Sequence, residues 1–99
     1  MFARVRETTF DADKLSQGGA HLDEFFALQD RQPGFPGRVR VDAGDGRMLT
    51  LDLWESEAQA TAARAVLRPA AERLVAPMYA APLRVIAHGP VLRNDLVKS

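Results

Sequence analysis

Cysteine is missing from this sequence of 99 residues, and neither sign of charge is in excess. Without cysteine the chain has no disulfide, no catalytic thiolate and no cysteine-ligated zinc or iron–sulfur site. Its 13 lysines and arginines equal its 13 aspartates and glutamates, so no net charge attracts nucleic acid or an anionic membrane. No basic run or RNA-binding signature is present, and we therefore expect no nucleic-acid partner.

Long apolar segments are missing as well. No stretch approaches the roughly 18 apolar residues of a membrane span, and the charged start of the chain lacks the apolar segment of a signal peptide. The sequence therefore predicts a cytoplasmic protein with no membrane partner. Its length predicts one domain over 1–99, with a core over about 2–91 and a tail over 92–99. A domain this small buries only about two-thirds of its unfolded surface, so self-association would stabilise it.

The spacing of apolar residues and turn signals predicts an alternation of strands and helices. The predicted elements are a strand over 2–9, a helix over 13–30, strands over 35–42 and 47–54, a helix from Ser56 to about Val75, and a strand over 83–88. Asp45-Gly46 indicates a tight hairpin between the second and third strands. The order β-α-β-β-α-β is typical of a ferredoxin-like α+β fold, an antiparallel sheet with two helices on one face.

Three local signals refine the helices. Ser56, followed three residues later by Gln59, fits a capping box that starts the second helix. Pro69 is expected to kink that helix or to begin a separate turn. Gly18-Gly19 interrupts the first helix on its core-facing side. The missing side chains there either open a cavity, which Tyr79 would help to close, or allow a helix break and a close approach to the sheet.

Alternation along the strands sorts their side chains into two sets. We expect the apolar set to be the helix-covered core: Ala3, Val5, Val39, Val41, Leu49, Leu51, Leu53, Leu83, Val85 and Ala87. The other set mixes aromatic and charged residues: Phe2, Arg4, Arg6, Arg38, Arg40, Asp42, Met48, Thr50, Asp52, Trp54, Arg84, Ile86 and His88. Its composition is unusual for a solvated sheet face.

This second set predicts a homodimer packed sheet to sheet. Arginine–aspartate ion pairs would cross the interface, which would contain Arg4, Arg6, Arg38, Arg40, Asp42, Asp52 and Arg84. A pocket for an anionic small molecule and a plainly exposed face remain as alternatives. Removing Asp52 should weaken the dimer or the fold, because a buried arginine would lose its partner.

Several of these motifs together resemble one protein family. The Pro33-Gly34-Phe35 turn, the Asp45-Gly46 hairpin and the stretch from Leu51 through Trp54 to Glu57 are similar to those of the antibiotic biosynthesis monooxygenases. That family belongs to the dimeric α+β barrel superfamily, in which two ferredoxin-like protomers pack their sheets together. The resemblance covers roughly residues 2–91. It implies cofactor-independent oxygenation of a quinol or anthrone-like molecule, haem degradation, or an activity not yet known.

The chain departs from the family pattern at several positions. Polyketide-oxidising members carry an asparagine four residues before the tryptophan and a tyrosine six after it, where this chain has Thr50 and Ala60. Haem-degrading members carry an asparagine in the first strand, which this strand lacks, and a histidine about ten residues after the tryptophan, near Arg64 here. Trp54 alone is retained, so haem degradation is not expected and no cofactor is predicted.

Three residues are the candidates for chemistry. Trp54 would stack on a flat aromatic substrate or organise a radical-pair reaction with oxygen; alternatively it plugs the end of the barrel. Thr50 would donate a hydrogen bond. His88 would act as a general base or bind an anion, or make a hydrogen bond in the interface.

No metal site is predicted. His21 lies at the edge of the apolar stripe of the first helix, and with Asp23 and Glu24 it forms only a weak, solvated cluster. Two functions remain open. The first is a cofactor-free monooxygenase acting on a small apolar, aromatic or quinone-like molecule. The second is a non-catalytic small-molecule-binding or stress-related dimer.

Overall fold

The computed structural model describes residues 1–96, so the end of the predicted tail, 97–99, lies outside the described residues. Four strands form one antiparallel sheet in the order β2-β3-β1-β4: β1 (Phe2–Phe10), β2 (Gly37–Gly44), β3 (Arg47–Trp54) and β4 (Tyr79–Pro90). The helices are α1 (Ala12–Gln17), α2 (Gly19–Asp30) and α3 (Glu57–Leu74), with a 3-10 turn over Ala76–Met78. The predicted ferredoxin-like α+β fold is confirmed. Within residues 1–96 no helix has the length and apolar character needed to cross a membrane.

Local signals account for where the helices begin and break. Gly18 separates α1 from α2, as one reading of the glycine pair predicts. The capping box of α3 is confirmed, because the Gln59 N–H donates to Ser56 Oγ at 3.2 Å. Pro69 does not begin a separate turn, since α3 continues through it as one helix to Leu74; a kink at Pro69, the other alternative, stays a prediction. Burial of Leu67 and Leu74 on the same helix face offsets the cost of an internal proline, about 3 kcal/mol.

The hairpin between β2 and β3 depends on three consecutive residues with positive φ. Gly44, Asp45 and Gly46 have φ of 85°, 56° and 78°, which confirms the predicted turn. The carbonyl oxygen of Gly46 also accepts a 2.9 Å hydrogen bond from the Phe10 N–H. The turn therefore lies against the end of β1.

We expect Gly46→Ala to lower the free energy of unfolding by well over the ~1 kcal/mol of left-handed strain alone. A Cβ at this position would lie 2.5 Å from the Phe10 carbonyl oxygen, which is backbone and cannot swing aside. Gly44→Ala is the matched control, because it shares the positive φ but meets no atom within 4 Å. Urea unfolding followed by the fluorescence of Trp54 measures both variants. Equal losses in the two would contradict the steric argument.

The two faces of the sheet are the reverse of those expected. The helices cover the aromatic and charged set, so that Trp54 and Asp52 are only 4% and 3% exposed. The apolar set lies on the uncovered face, where Val39 and Val41 are 44% and 51% exposed. The core is built from side chains of the covered face, of the helices and of the segment after α3: Phe10, Phe25, Trp54, Ala63, Leu67, Ala70, Leu74, Val75 and Met78. Aromatic rings supply the volume that the smaller valines and leucines were expected to fill.

The predicted dimer interface is therefore wrong in its location. By strand register, six of its seven residues share the helix-covered face: Arg4, Arg6, Arg38, Arg40, Asp42 and Asp52. Arg38 shows how the fold accommodates them. Its Nε donates to Gln29 Oε1 at 3.0 Å, its Nη2 donates to the Phe26 carbonyl oxygen at 3.3 Å, and it pairs with Asp30. The C-terminal end of α2, where carbonyl groups and the helix dipole favour a cation, thus binds this arginine.

The seventh residue, Arg84, lies on the opposite face because β4 is irregular. Its register against β1 shifts between the pairs Val5–Ala87 and Arg6–Val85. This shift places Val85 on the helix-covered side, contrary to strict alternation. Arg84 pairs instead with Glu7 on the uncovered side, at 3.5 Å.

Candidate functional site

A cavity of about 620 Å³ lies between the covered face of the sheet and helix α3. Small-molecule sites usually occupy about 300–1,000 Å³, so this one is large enough for a multi-ring compound. The buried side chains of Trp54 and Asp52 lie at its floor, and the exposed Arg64 and His88 lie at its rim. The cavity exists because α3 contributes short side chains such as Ala60 to this wall.

The floor of the cavity is aromatic at one end. Trp54 packs against Phe35, which precedes β2 rather than belonging to it, with ring centroids 4.8 Å apart. Phe2 is the direct cross-strand neighbour of Trp54, and its ring centroid lies 6.1 Å from that of His88. Flat, apolar surfaces of this kind bind the faces of aromatic rings.

A row of charged residues crosses the sheet next to these rings. Asp52 of β3 lies directly between Arg38 of β2 and Arg4 of β1, and His88 of β4 follows Arg4. Arg6 approaches Asp52 diagonally, with Nε 3.2 Å from Oδ2. The N–H does not point along that contact, and Arg6 Nε has no hydrogen-bond partner among residues 1–96.

One carboxylate oxygen of Asp52 accepts no hydrogen bond within residues 1–96. This oxygen, Oδ1, is buried. A buried acceptor without a partner costs free energy, which a donor on a ligand would recover. Because Asp52 lines the cavity, a rotation of its carboxylate group would present this oxygen to a hydroxyl group bound there.

The positive charges of the arginines around the cavity repel one another, which destabilises the charged form of each. Burial lowers the pKa of Arg4, and the charges of Arg64 and Arg6 lower it further. The charge of Asp52 acts in the opposite direction and is the smallest of these influences. Burial also raises the pKa of the Tyr79 phenol, another group on the cavity wall. The cavity therefore favours a ligand that brings negative charge.

The structure brings two of the three predicted chemical residues together. Trp54 and His88 line the same cavity, although His88 itself is exposed. Thr50 shares their sheet face and is buried, but it lies one row further along, opposite Arg6 and Arg40. It lines a separate pocket of about 10 Å³, which is too small for a ligand.

Gly18 allows a close approach between helix and turn. A Cβ on Gly18 would collide with Met78 Sδ of the 3-10 turn, so the close contact is to this turn rather than to the sheet, whereas a Cβ on Gly19 would meet no atom within 4 Å. Tyr79 does line a cavity, but the one beneath α3. His21 is exposed, and within residues 1–96 no group of three or more histidines, aspartates or glutamates is placed to hold a metal ion.

Sequence reasoning missed the roles of Asp52, Arg4 and Arg64 in this cavity. The first two were assigned to a dimer interface, and the third was noted only as a departure from the histidine of haem-degrading proteins. A signal was available, since Arg4 and Asp52 alternate in phase with Trp54 and must share its face.

Comparison with known proteins shows the fold. No protein-family model and no curated protein sequence matches the chain. A protein of unknown function from Nitrosomonas europaea superposes with a TM-score of 0.77 at 14% identity, over 99% of this chain and 95% of that one. A second from the same organism, provisionally assigned as an antibiotic biosynthesis monooxygenase, gives 0.76 at 14% identity over 94% and 100%. SnoaB, a cofactor-independent oxygenase from Streptomyces nogalater, gives 0.69 at 16% identity over 94% and 97%. The chain thus has the fold of antibiotic biosynthesis monooxygenases, as the resemblance implied.

Proposed function

We propose that this protein binds a planar, quinol-like aromatic molecule in the cavity between the sheet and α3 and catalyses its oxygenation by O2 without a cofactor. One observation carries the proposal. Asp52, whose buried Oδ1 has no hydrogen-bond partner among residues 1–96, lines a cavity of about 620 Å³ together with the buried ring of Trp54. A hydroxylated aromatic ring satisfies both groups at once.

The pose follows from these two contacts. The ring of the ligand lies against Trp54 and Phe2, where burial of apolar surface drives binding. A ring hydroxyl donates its hydrogen to Asp52 Oδ1. Arg4, directly across the strand pair from Asp52, and Arg6, on the diagonal, both extend from β1 and stabilise negative charge that develops on the oxygens of the ligand.

The chemistry needs few protein groups. A quinol and O2 yield a hydroxyquinone and water: one oxygen atom is inserted into a ring C–H bond, and the other leaves as water with the two hydroxyl hydrogens of the quinol. The substrate loses the four electrons that O2 gains, so no external reductant is needed. The reaction begins when a base removes a hydroxyl proton, because the electron-rich phenolate transfers an electron to O2 far more readily. His88, the imidazole at the rim of the cavity, would take the proton of the second ring hydroxyl, the one that does not face Asp52.

The likeness to SnoaB supports this proposal, since that oxygenase works without a cofactor on the same fold. The second candidate is a non-catalytic binding protein with the same cavity. It is favoured by Ala60, which lines the cavity without a polar group, and by the placement of Thr50 outside it. Both functions require that the cavity binds an aromatic molecule, but only the first predicts that the molecule is oxygenated.

Oxygen uptake with naphthohydroquinone tests the proposal. We expect protein-dependent uptake to fall by about 100-fold in His88→Gln, at the low end of what a general base contributes. His21→Gln is the matched control, because this second histidine is exposed on α2 and does not line the cavity. Fluorescence of Trp54 measures binding in the same samples. Tight binding without any protein-dependent uptake would establish the non-catalytic alternative.

We also infer that the protein forms a homodimer through the uncovered face of the sheet. That face presents Val39, Val41, Leu49 and Leu51, flanked by the Glu7–Arg84 ion pair. Four strands of about eight residues span roughly 19 Å by 26 Å, or near 500 Å² per copy. Two copies bury about 1,000 Å², the size at which specific interfaces begin. Apolar patches of this size on a monomer mark an interaction site.

A further inference from the structure

We infer that the ligand of this cavity is an aromatic carboxylic acid, and that Arg4 and Arg64 bind its carboxylate from opposite walls. The inference deepens the proposed function and rests on it, since it concerns the same cavity. Arg4 projects from the central strand β1 on the covered face, and Arg64 projects from α3 across the cavity from it. A carboxylate between them would accept charge-assisted hydrogen bonds from both.

Neither arginine has a partner in the part of the chain that the structure describes. Among residues 1–96, neither makes an ion pair within 4 Å or a side-chain hydrogen bond. Arg38 on the same sheet face shows the contrast, because Asp30, Gln29 and the end of α2 satisfy it. Two unpartnered guanidinium groups facing one cavity form a site for an anion with two oxygens, since each presents a planar set of donors.

The positive charges also oppose one another. Arg64 lowers the pKa of Arg4 because the two cations repel across the cavity. A bound anion would replace that repulsion with two attractions, and part of its binding energy would come from this relief. Glu57 is the only carboxylate in the described lining that makes no ion pair, and it lies seven residues before Arg64 on α3, or about 10 Å along the helix axis. It does not neutralise the pair.

The same charges determine which way the ligand lies. Asp52 at the floor repels a carboxylate but accepts a hydroxyl hydrogen. Arg64 is exposed at the rim. The acid group therefore points toward the rim, between Arg4 and Arg64, and the hydroxyl group points inward to Asp52.

The test compares a hydroxynaphthoic acid with the naphthol that lacks its carboxyl group, with binding followed by quenching of Trp54. We expect the acid to bind at least about tenfold more tightly to the unmodified protein. Arg64→Gln should weaken binding of the acid by about tenfold and leave the naphthol unchanged. Arg4→Gln should also weaken binding of the acid by about tenfold, but only Arg64→Gln is compared on the naphthol, because Arg4 is also the cross-strand neighbour of Asp52. Arg73→Gln, also on α3 but outside the cavity lining, is the charge-matched control and should change neither affinity.

The outcomes separate this inference from the proposed function. If acid and naphthol bind equally well, or if Arg73→Gln weakens the acid as much as Arg64→Gln does, the carboxylate site is wrong while the aromatic cavity stands. If neither compound binds, the proposed function itself fails. Arg64 is exposed, so its variant should fold even where Arg4→Gln does not.

Discussion

Asp52→Ala should destabilise this protein by about 3–5 kcal/mol, the usual cost of leaving a buried cation without its partner. Asp52 is 3% exposed and has Arg4 and Arg38 as direct cross-strand neighbours and Arg6 at 3.2 Å. Its removal leaves these like charges facing one another in a region of low solvent access. A small domain has only about 5–15 kcal/mol of stability in total, so a sizeable unfolded population is expected.

Urea unfolding, followed by the fluorescence of the single, buried Trp54, measures this loss. Asp23→Ala is the matched control, because this aspartate is exposed on α2 and makes no ion pair within residues 1–96; it should shift stability by no more than about 0.5 kcal/mol. Asp52→Asn keeps an acceptor but removes the charge, and should fall between the two. An unchanged midpoint in Asp52→Ala would show that the arginines are solvated, contrary to this structure.

Leu51→Lys should convert the inferred dimer to a monomer. Leu51 lies at the centre of the uncovered face, directly between Val5 of β1 and Val39 of β2. In the monomer a lysine there extends into water and costs the fold little. In a twofold dimer each substitution occurs twice, and two ammonium groups would be desolvated near the axis. We expect the dissociation constant to rise at least about 100-fold, or about 2.7 kcal/mol.

Sedimentation velocity over a range of protein concentrations measures this change. Ala62→Lys, which adds the same charge at an exposed position of α3, should leave the dimer intact. A dimer that survives Leu51→Lys would place the interface elsewhere, and a monomer in the unmodified protein would remove the interface altogether. Trp54 fluorescence confirms in each case that the protomer is folded.

Much of the fold follows from short-range patterns. The strand from Arg47 to Trp54, the hairpin at Asp45-Gly46 and the cap at Ser56 are as predicted, because each depends on neighbouring residues only. Pro69 is an exception, because it does not begin a separate turn: tertiary packing of α3 outweighs the missing backbone hydrogen bond. The shift in β4 is the other case. No local signal marks it, yet it moves Arg84 to the far side of the sheet.

The candidate site is predictable only in part. Trp54 and His88 do share a cavity, as their common face requires, whereas Thr50 on the same face does not reach it. The position of a residue along a strand predicts the face of the sheet on which its side chain lies. It does not predict which cross-strand rows on that face line a cavity rather than pack against a helix. That depends on where α3 places its small side chains, such as Ala60.

By itself the sequence determined the order of the elements, the turns between them and the division of strand side chains into an apolar and a charged aromatic set, because these depend on the period of the backbone and on adjacent residues. Only the tertiary structure decided which set the helices cover. Side chains alternate equally on both sides of a sheet, so the pattern identifies two faces but does not say which of them the helices cover. Long-range contacts decided which face is covered. Trp54 and Phe10 pack in one core with residues of α3, and acceptors at the end of α2 bind Arg38. Those contacts bury the charged set and leave the valines and leucines facing outward.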